Sequence, residues 1–144
     1  MVAFAMPIAD SCIMDEVALL AANAAYYRAF AARDLPAMEA IWAEEGVTCV
    51  HPGWSALIGR APVLASYRDI FRNPSQEALT ARDEKTLIEG ESARVFCVEE
   101  VGGGLLLATN WFRRVNDAWR LVHHQASPLA PPPAAPKEAK RSFH

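Results

Sequence analysis

The sequence predicts an α+β domain, with helices packed on one face of a curved mixed or antiparallel sheet. Three observations carry that prediction. Helix-period apolar spacing fills the chain up to about Phe71, and strand-like runs take over after Asn73-Pro74. The stretch Leu105 to Ser127, LLLATNWFRRVNDAWRLVHHQAS, is two strand-favouring runs on either side of the turn dipeptide Asn116-Asp117, which reads as a long hairpin. Each face of that hairpin mixes large apolar and polar groups. The sheet is therefore expected to be covered on both sides, with some polar groups aimed into a cavity.

The elements follow in order. Residues 1–14 have no clear period and read as an arm. Asp15 and Glu16 suit the positive end of a helix whose stripe of Leu19, Leu20, Asn23, Tyr26, Tyr27 and Phe30 runs to Arg33. Asp34 caps a second helix with Pro36 in its first turn and Met38, Ile41 and Trp42 on its buried side, ending at Gly46. Val47–His51 reads as a strand stopped by Pro52-Gly53. A loop with Trp54 leads to a third helix begun by Pro62. Strands are expected over Leu79–Glu89 and Ala93–Val101, joined to each other and to the hairpin by Gly90 and by Gly102-Gly103-Gly104. Residues 15–128 form the domain. Residues 129–144 are a proline-rich tail with almost no large apolar residue, expected to be disordered or extended.

Composition narrows the function. The 144 residues carry a net charge of −3; the segment from Pro128 holds Lys137, Lys140 and Arg141 against Glu138, so it carries +2 and the body −5. Such a body offers no basic face for nucleic acid. No apolar run approaches the roughly 20 residues that span a bilayer, and the N-terminus lacks the positive leading region of a signal peptide. Cys12, Cys49 and Cys97 show no CxxC spacing and suit a reducing cytoplasm.

His51 is the foremost candidate for chemistry. At a strand end before Pro52 its imidazole is either satisfied by a backbone carbonyl or serves as a general base. Trp54 beside it is a core aromatic or a lid. Opposite residues of a hairpin share a face. With a two-residue turn, Arg114 faces Trp119, Phe112 faces Leu121, Asn110 faces His123 and Ala108 faces Gln125. Asn110, Phe112, His123 and Gln125 then look inward; Trp111, Val122 and His124 look outward, towards a partner subunit. Adjacent strand residues point to opposite faces, so His123 and His124 cannot hold one ion. His51 with His123 lacks an evident third ligand, and no metal site is expected. Glu99 and Glu100 cannot be told apart by spacing, because register across the glycine turn is open by one residue.

A tyrosine-bearing first helix, DLPAMEAIWAEE in the second, HPGW followed by GR and a helix, and WRLVHHQAS at the end resemble the nuclear transport factor two-like superfamily, specifically its SnoaL-like bacterial members, over about Asp15 to Pro128. The resemblance implies a cone-shaped cystatin-like roll with helices on the concave face, a deep pocket, and a homodimer formed through the sheet's outer face. The last strand is also similar to the association domain of calmodulin-dependent kinase II, which implies that Trp119, His123 and Gln125 face the pocket. Against ketosteroid isomerase, His51-Pro52 stands where the catalytic Asp-Pro stands, and Tyr26 falls near the oxyanion-binding tyrosine. Histidine in place of aspartate, with no second acid apparent, leaves that chemistry open.

Two readings compete. One is a cofactor-free isomerase, cyclase or dehydratase with His51 as base, a carbonyl polarised by Tyr26 or Tyr27, Asn110 and His123, and walls of Tyr27, Trp42, Trp54 and Phe112. The other is a ligand-binding or assembly module without turnover.

Overall fold

The computed structural model describes residues 8–130, with residues 8–11 described as backbone only. Residues 1–7 of the expected arm and 131–144 of the expected tail lie outside the described residues. Three helices, α1 (Ile8–Ala32), α2 (Leu35–Ile41) and α3 (Arg60–Arg72), accompany six strands: β1 (Thr48–Val50), β2 (Leu57–Ile58), β3 (Leu79–Glu89), β4 (Ser92–Val101), β5 (Gly104–Val115) and β6 (Ala118–Pro128). The strands form one curved, unclosed sheet in the order β2-β1-β6-β5-β4-β3. Only β1 against β6 is parallel, so the sheet is mixed. Among the described residues no helix is long and apolar enough to cross a membrane.

Two helix boundaries and one short strand differ from expectation. Helix α1 begins at Ile8, not Asp15: no residue from 8 to 14 breaks a helix, so Asp15 and Glu16 lie inside it and not at its start. Helix α2 is capped as expected, Asp34 accepting from the amide of Ala37 at 3.1 Å, but it stops at Ile41 and not Gly46. Trp42 turns extended and bridges Leu121, and the Ala43 amide donates to the Leu121 carbonyl at 2.9 Å. Sheet pairing captures the chain there. The two-residue β2 has too short a pattern to be read from the sequence.

Helix α1 buries Leu19, Asn23, Tyr26 and Tyr27 of the expected stripe, with Ala29 beside them, while Leu20 and Phe30 of that stripe are half-buried. The facing strand β4 alternates strictly, with Ala93, Val95, Cys97 and Glu99 inward. Glu99 is thereby the inward glutamate, and Glu100 is exposed.

The hairpin β5–β6 turns on Asn116 (φ 51°) and Asp117 (φ 64°), both in the left-handed region that a tight two-residue turn requires. Arg114 pairs with Trp119 and Phe112 with Leu121, as expected. Beyond them the register shifts. Trp111 pairs with His123 and Asn110 with His124, so β6 carries one extra residue around Val122. Such a bulge reverses the parity of everything after it. His124 and Ala126 turn inward, whereas Gln125 is exposed. The small inward residues Cys97, Ala108 and Ala126 lie side by side across β4, β5 and β6, which leaves room for large polar side chains above them.

Candidate functional site

The space between helices and sheet is filled by a continuous cluster of buried polar and aromatic side chains. Its hub is Asn110, fully buried on β5. The Asn110 amide nitrogen donates to Asn23 Oδ1 at 2.8 Å and to the Tyr27 hydroxyl at 3.0 Å, both on α1. Its carbonyl oxygen accepts from His124 Nδ1 at 2.6 Å. Tyr27 in turn donates to Glu99 Oε2 at 2.7 Å. Since Nδ1 of His124 carries the proton, its Nε2 presents a lone pair, 3.9 Å from Glu99 Oε2. Helix α1 and strands β4, β5 and β6 thus meet in one hydrogen-bonded chain from Glu99 through Tyr27 and Asn110 to His124.

A second arm runs to β1 and α3. The β1–β6 pairing sets Cys49 beside His124, and alternation puts both Cys49 and His51 inward. The Ser66 hydroxyl donates to the Val63 carbonyl at 2.6 Å, so it must accept from His51 Nε2 at 2.8 Å. That fixes the Nε2–H tautomer of His51 and leaves Nδ1 with a lone pair, 3.9 Å from Cys49 Sγ. Tyr26 stacks on His124 with centroids 4.9 Å apart and shares a 2.7 Å hydrogen bond with the Tyr67 hydroxyl. The two imidazoles lie 6.3 Å apart.

Burial sets the charge states. Desolvation lowers His51 to about 4. It lowers His124 to about 3, helped by the neighbouring His51 and His123. Desolvation raises the Glu99 carboxyl, opposed by the hydrogen bond from Tyr27. It also holds the Tyr26 hydroxyl well above its ordinary value and pushes the Cys49 thiol up to about 12. The contact between Cys49 and His51 is therefore neutral on both sides, not an activated thiolate. In the pair Glu99–His124, burial raises the carboxyl and lowers the imidazole.

The structure brings His51, Tyr26, Tyr27 and Asn110 into this cluster. Phe112 and Trp42 are buried beside it, Trp42 packing on Tyr67 at 5.9 Å. Trp54 is 45% exposed and meets the His51 ring edge-on at 4.9 Å, the position of a lid. His123 and Gln125 are not part of the cluster. The bulge turns them to the outer face, where His123 bonds Thr48 Oγ1 at 2.7 Å and Gln125 Oε1 at 3.2 Å. Of the three residues expected inward by likeness to the kinase association domain, Trp119 alone is buried.

His124, expected on the outer face, takes the place assigned to His123. Ser66 and Tyr67 escaped the sequence reading, although Val63, Ser66 and Tyr67 follow helical spacing in α3. A cleft of about 440 Å³ between α1 and β3 has Asn23 and Tyr27 on its walls with Leu20, Leu79 and Ala81. Tyr27 joins that wall to Glu99 through its hydroxyl. Among the described residues no group of three or more His, Cys, Asp or Glu is placed to hold a metal ion.

Comparison with known proteins follows from this geometry. A family model described as a SnoaL-like domain matches residues 19–131. A candidate dehydratase of the NTF2-like family from Streptomyces avermitilis is 34% identical, covering 82% of this chain and 98% of that one, with a TM-score of 0.73. A candidate calcium/calmodulin-dependent protein kinase type II association domain from Thiobacillus denitrificans is 36% identical over 76% of this chain and 94% of that one, with a TM-score of 0.70. An NTF2-like protein with a cystatin-like fold from Novosphingobium aromaticivorans, 20% identical over 89% of this chain and 90% of that one, shares the fold with a TM-score of 0.69. Among curated proteins, no sequence matches.

The charge states predict a pH dependence. Unfolded imidazoles take up protons near pH 6.5, whereas His51 and His124 do so in the fold only at about 4 and about 3. The unfolded chain binds more protons in between, so stability is full above pH 6.5 and falls on acidification. Glu99 acts oppositely: its raised carboxyl adds stability below its ordinary value, and that is lost as pH rises through the folded value. Urea unfolding should show a loss of roughly 2 kcal/mol per imidazole between pH 6.5 and 5. His51→Gln should remove about half of the imidazole part. Equal stabilities at the two pH values would refute the neutral-imidazole assignment.

Proposed function

Because the chain belongs to the SnoaL-like domain family, we propose that it binds a carbonyl-bearing small molecule and moves protons on it without a cofactor, in a dehydration or isomerisation. One observation carries this reading: two imidazoles kept neutral by burial, His51 and His124, share a buried cluster with Glu99, whose carboxyl burial pushes upward. A neutral base and a carboxyl shifted towards holding its proton in one enclosure suit proton transfer in both directions.

In a dehydration, His51 Nδ1 takes the proton next to the carbonyl. The electron pair of that C–H bond forms the double bond, and the hydroxyl leaves as water with the Glu99 proton. In an isomerisation the same base returns the proton to another carbon. Tyr26 and Tyr67, with hydroxyls kept protonated by burial, supply hydrogen bonds to the developing oxyanion. Either the Trp54 loop or the α1–β3 cleft admits the substrate. The likeness to the candidate dehydratase supports the first reaction. Cys49 and Cys97, free and buried, suit work in a reducing cytoplasm.

A second reading, a ligand-binding or assembly module without turnover, is favoured by one fact: the interior polar groups are already bonded to one another. The two readings separate cleanly. Native mass spectrometry identifies a carbonyl ligand carried by the purified protein, and proton NMR in D2O then follows exchange next to its carbonyl. Turnover predicts exchange that His51→Gln and Glu99→Gln each slow by about a hundredfold or more, with folding intact. A ligand that stays bound and unexchanged supports the binding module and removes the catalytic reading.

Either reading goes with a homodimer through the outer sheet face, where Leu107 and Trp111 are 41% and 38% exposed and Phe96, Val98 and Val122 are half-buried. Light scattering should give twice the 15.8 kDa chain mass; a monodisperse monomer at micromolar concentration would count against it.

A further inference from the structure

A second, larger cleft lies away from the interior cluster, between the end of α2 and the tip of the β5–β6 hairpin. It has a volume of about 560 Å³, and Arg60, Arg113 and Arg120 share its walls with Glu39, Glu44 and Glu45. Nothing in the proton-transfer reading uses it.

Its charges are arranged unusually. Arg113 and Arg120 are direct cross-strand partners on the hairpin, on the face opposite Phe112 and Leu121. Side chains of such partners stand about 5 Å apart at their Cβ atoms, and like charges there repel. Among the described residues, neither arginine pairs with a carboxylate. Arg60 is different: its Nε lies 3.7 Å from Glu44 Oε2 and its other nitrogens hold the carbonyls of Glu39, Trp42 and Ala43.

Arg113 and Arg120 are oriented but unspent. Arg113 Nη2 donates to the Glu45 carbonyl at 3.1 Å, and Arg120 Nη1 donates to the Ala40 carbonyl. These bonds anchor each guanidinium and leave Nε and the other terminal nitrogen of each as donors. Glu45 contributes its carbonyl there, not its carboxylate. Two facing guanidiniums with free donors and, among the described residues, no carboxylate partner call for an anion.

We propose that this cleft binds the phosphate group of a small metabolite. Two planar guanidinium forks on opposed strands match an oxyanion bidentately. Phosphate, with its charge of about −2, neutralises both where a single carboxylate neutralises one.

The probe is inorganic phosphate, titrated into the full chain at constant ionic strength set with chloride, and read by ¹⁵N NMR. Saturable shifts of the Arg113 and Arg120 Nε resonances are expected. Arg113→Lys and Arg120→Lys keep the charge but lose the fork, and each should weaken binding at least tenfold with thermal stability unchanged. If either variant is destabilised, the wild-type resonances alone decide. Shifts that are absent at millimolar phosphate, or that chloride reproduces, would overturn the proposal. Stronger shifts with acetate than with phosphate would overturn the phosphate assignment.

Discussion

The Asn110 amide is the interaction on which the interior depends. Both of its N–H bonds are committed to α1 and its oxygen to His124 of β6. A buried amide must find partners for all of these groups or lose the free energy of leaving water. Asn110 finds them only when helix and sheet stand at one separation and one rotation. The same bonds set the His124 tautomer, which aims a lone pair at Glu99. Fold geometry and the acid–base character of the cluster are therefore one constraint.

Around that hub the packing is complementary in size. Cys97, Ala108 and Ala126 are small where Tyr26, Tyr27 and His124 must fit, and Trp42, Leu121 and Phe112 are large where the helices lie close to the sheet. Aromatic rings enclose the polar atoms and exclude water. Exclusion of water is what lowers the two imidazoles and raises the carboxyl. A histidine at the end of β1 would be unremarkable in solvent; beside Tyr67 and under Trp54 it stays a neutral base.

Much of this was legible in the residues. Helical spacing in α1 placed Asn23, Tyr26 and Tyr27 on one face, and the tight turn at Asn116-Asp117 placed Asn110 and Phe112 correctly on β5. The Asp34 cap and the full extent of β3 were equally plain. What failed was parity on β6. A bulge has no dedicated residue type, and one extra residue moves every later side chain to the other face. A trace of it was present: without a bulge, Trp119 and Leu121 would share a face with His123, Gln125 and Ser127, a mix of apolar and polar that a half-buried strand avoids. Choosing between Glu99 and Glu100 needed the β4–β5 register, which a run of glycines leaves open. The arginine cleft was invisible for another reason: Arg60 comes from α3, far in sequence from the hairpin that it meets across the cleft.

The central claim is that His124, not His123, is the inward, proton-free histidine held by Asn110 and facing Glu99. Long-range ¹⁵N–¹H NMR of the imidazole rings across pH tests it most directly. The account predicts that His124 keeps its Nδ1–H tautomer, with an unprotonated Nε2, from about pH 8 to about pH 5. A His124 ring that protonates near its ordinary value of about 6.5, or that holds its proton on Nε2, would contradict it.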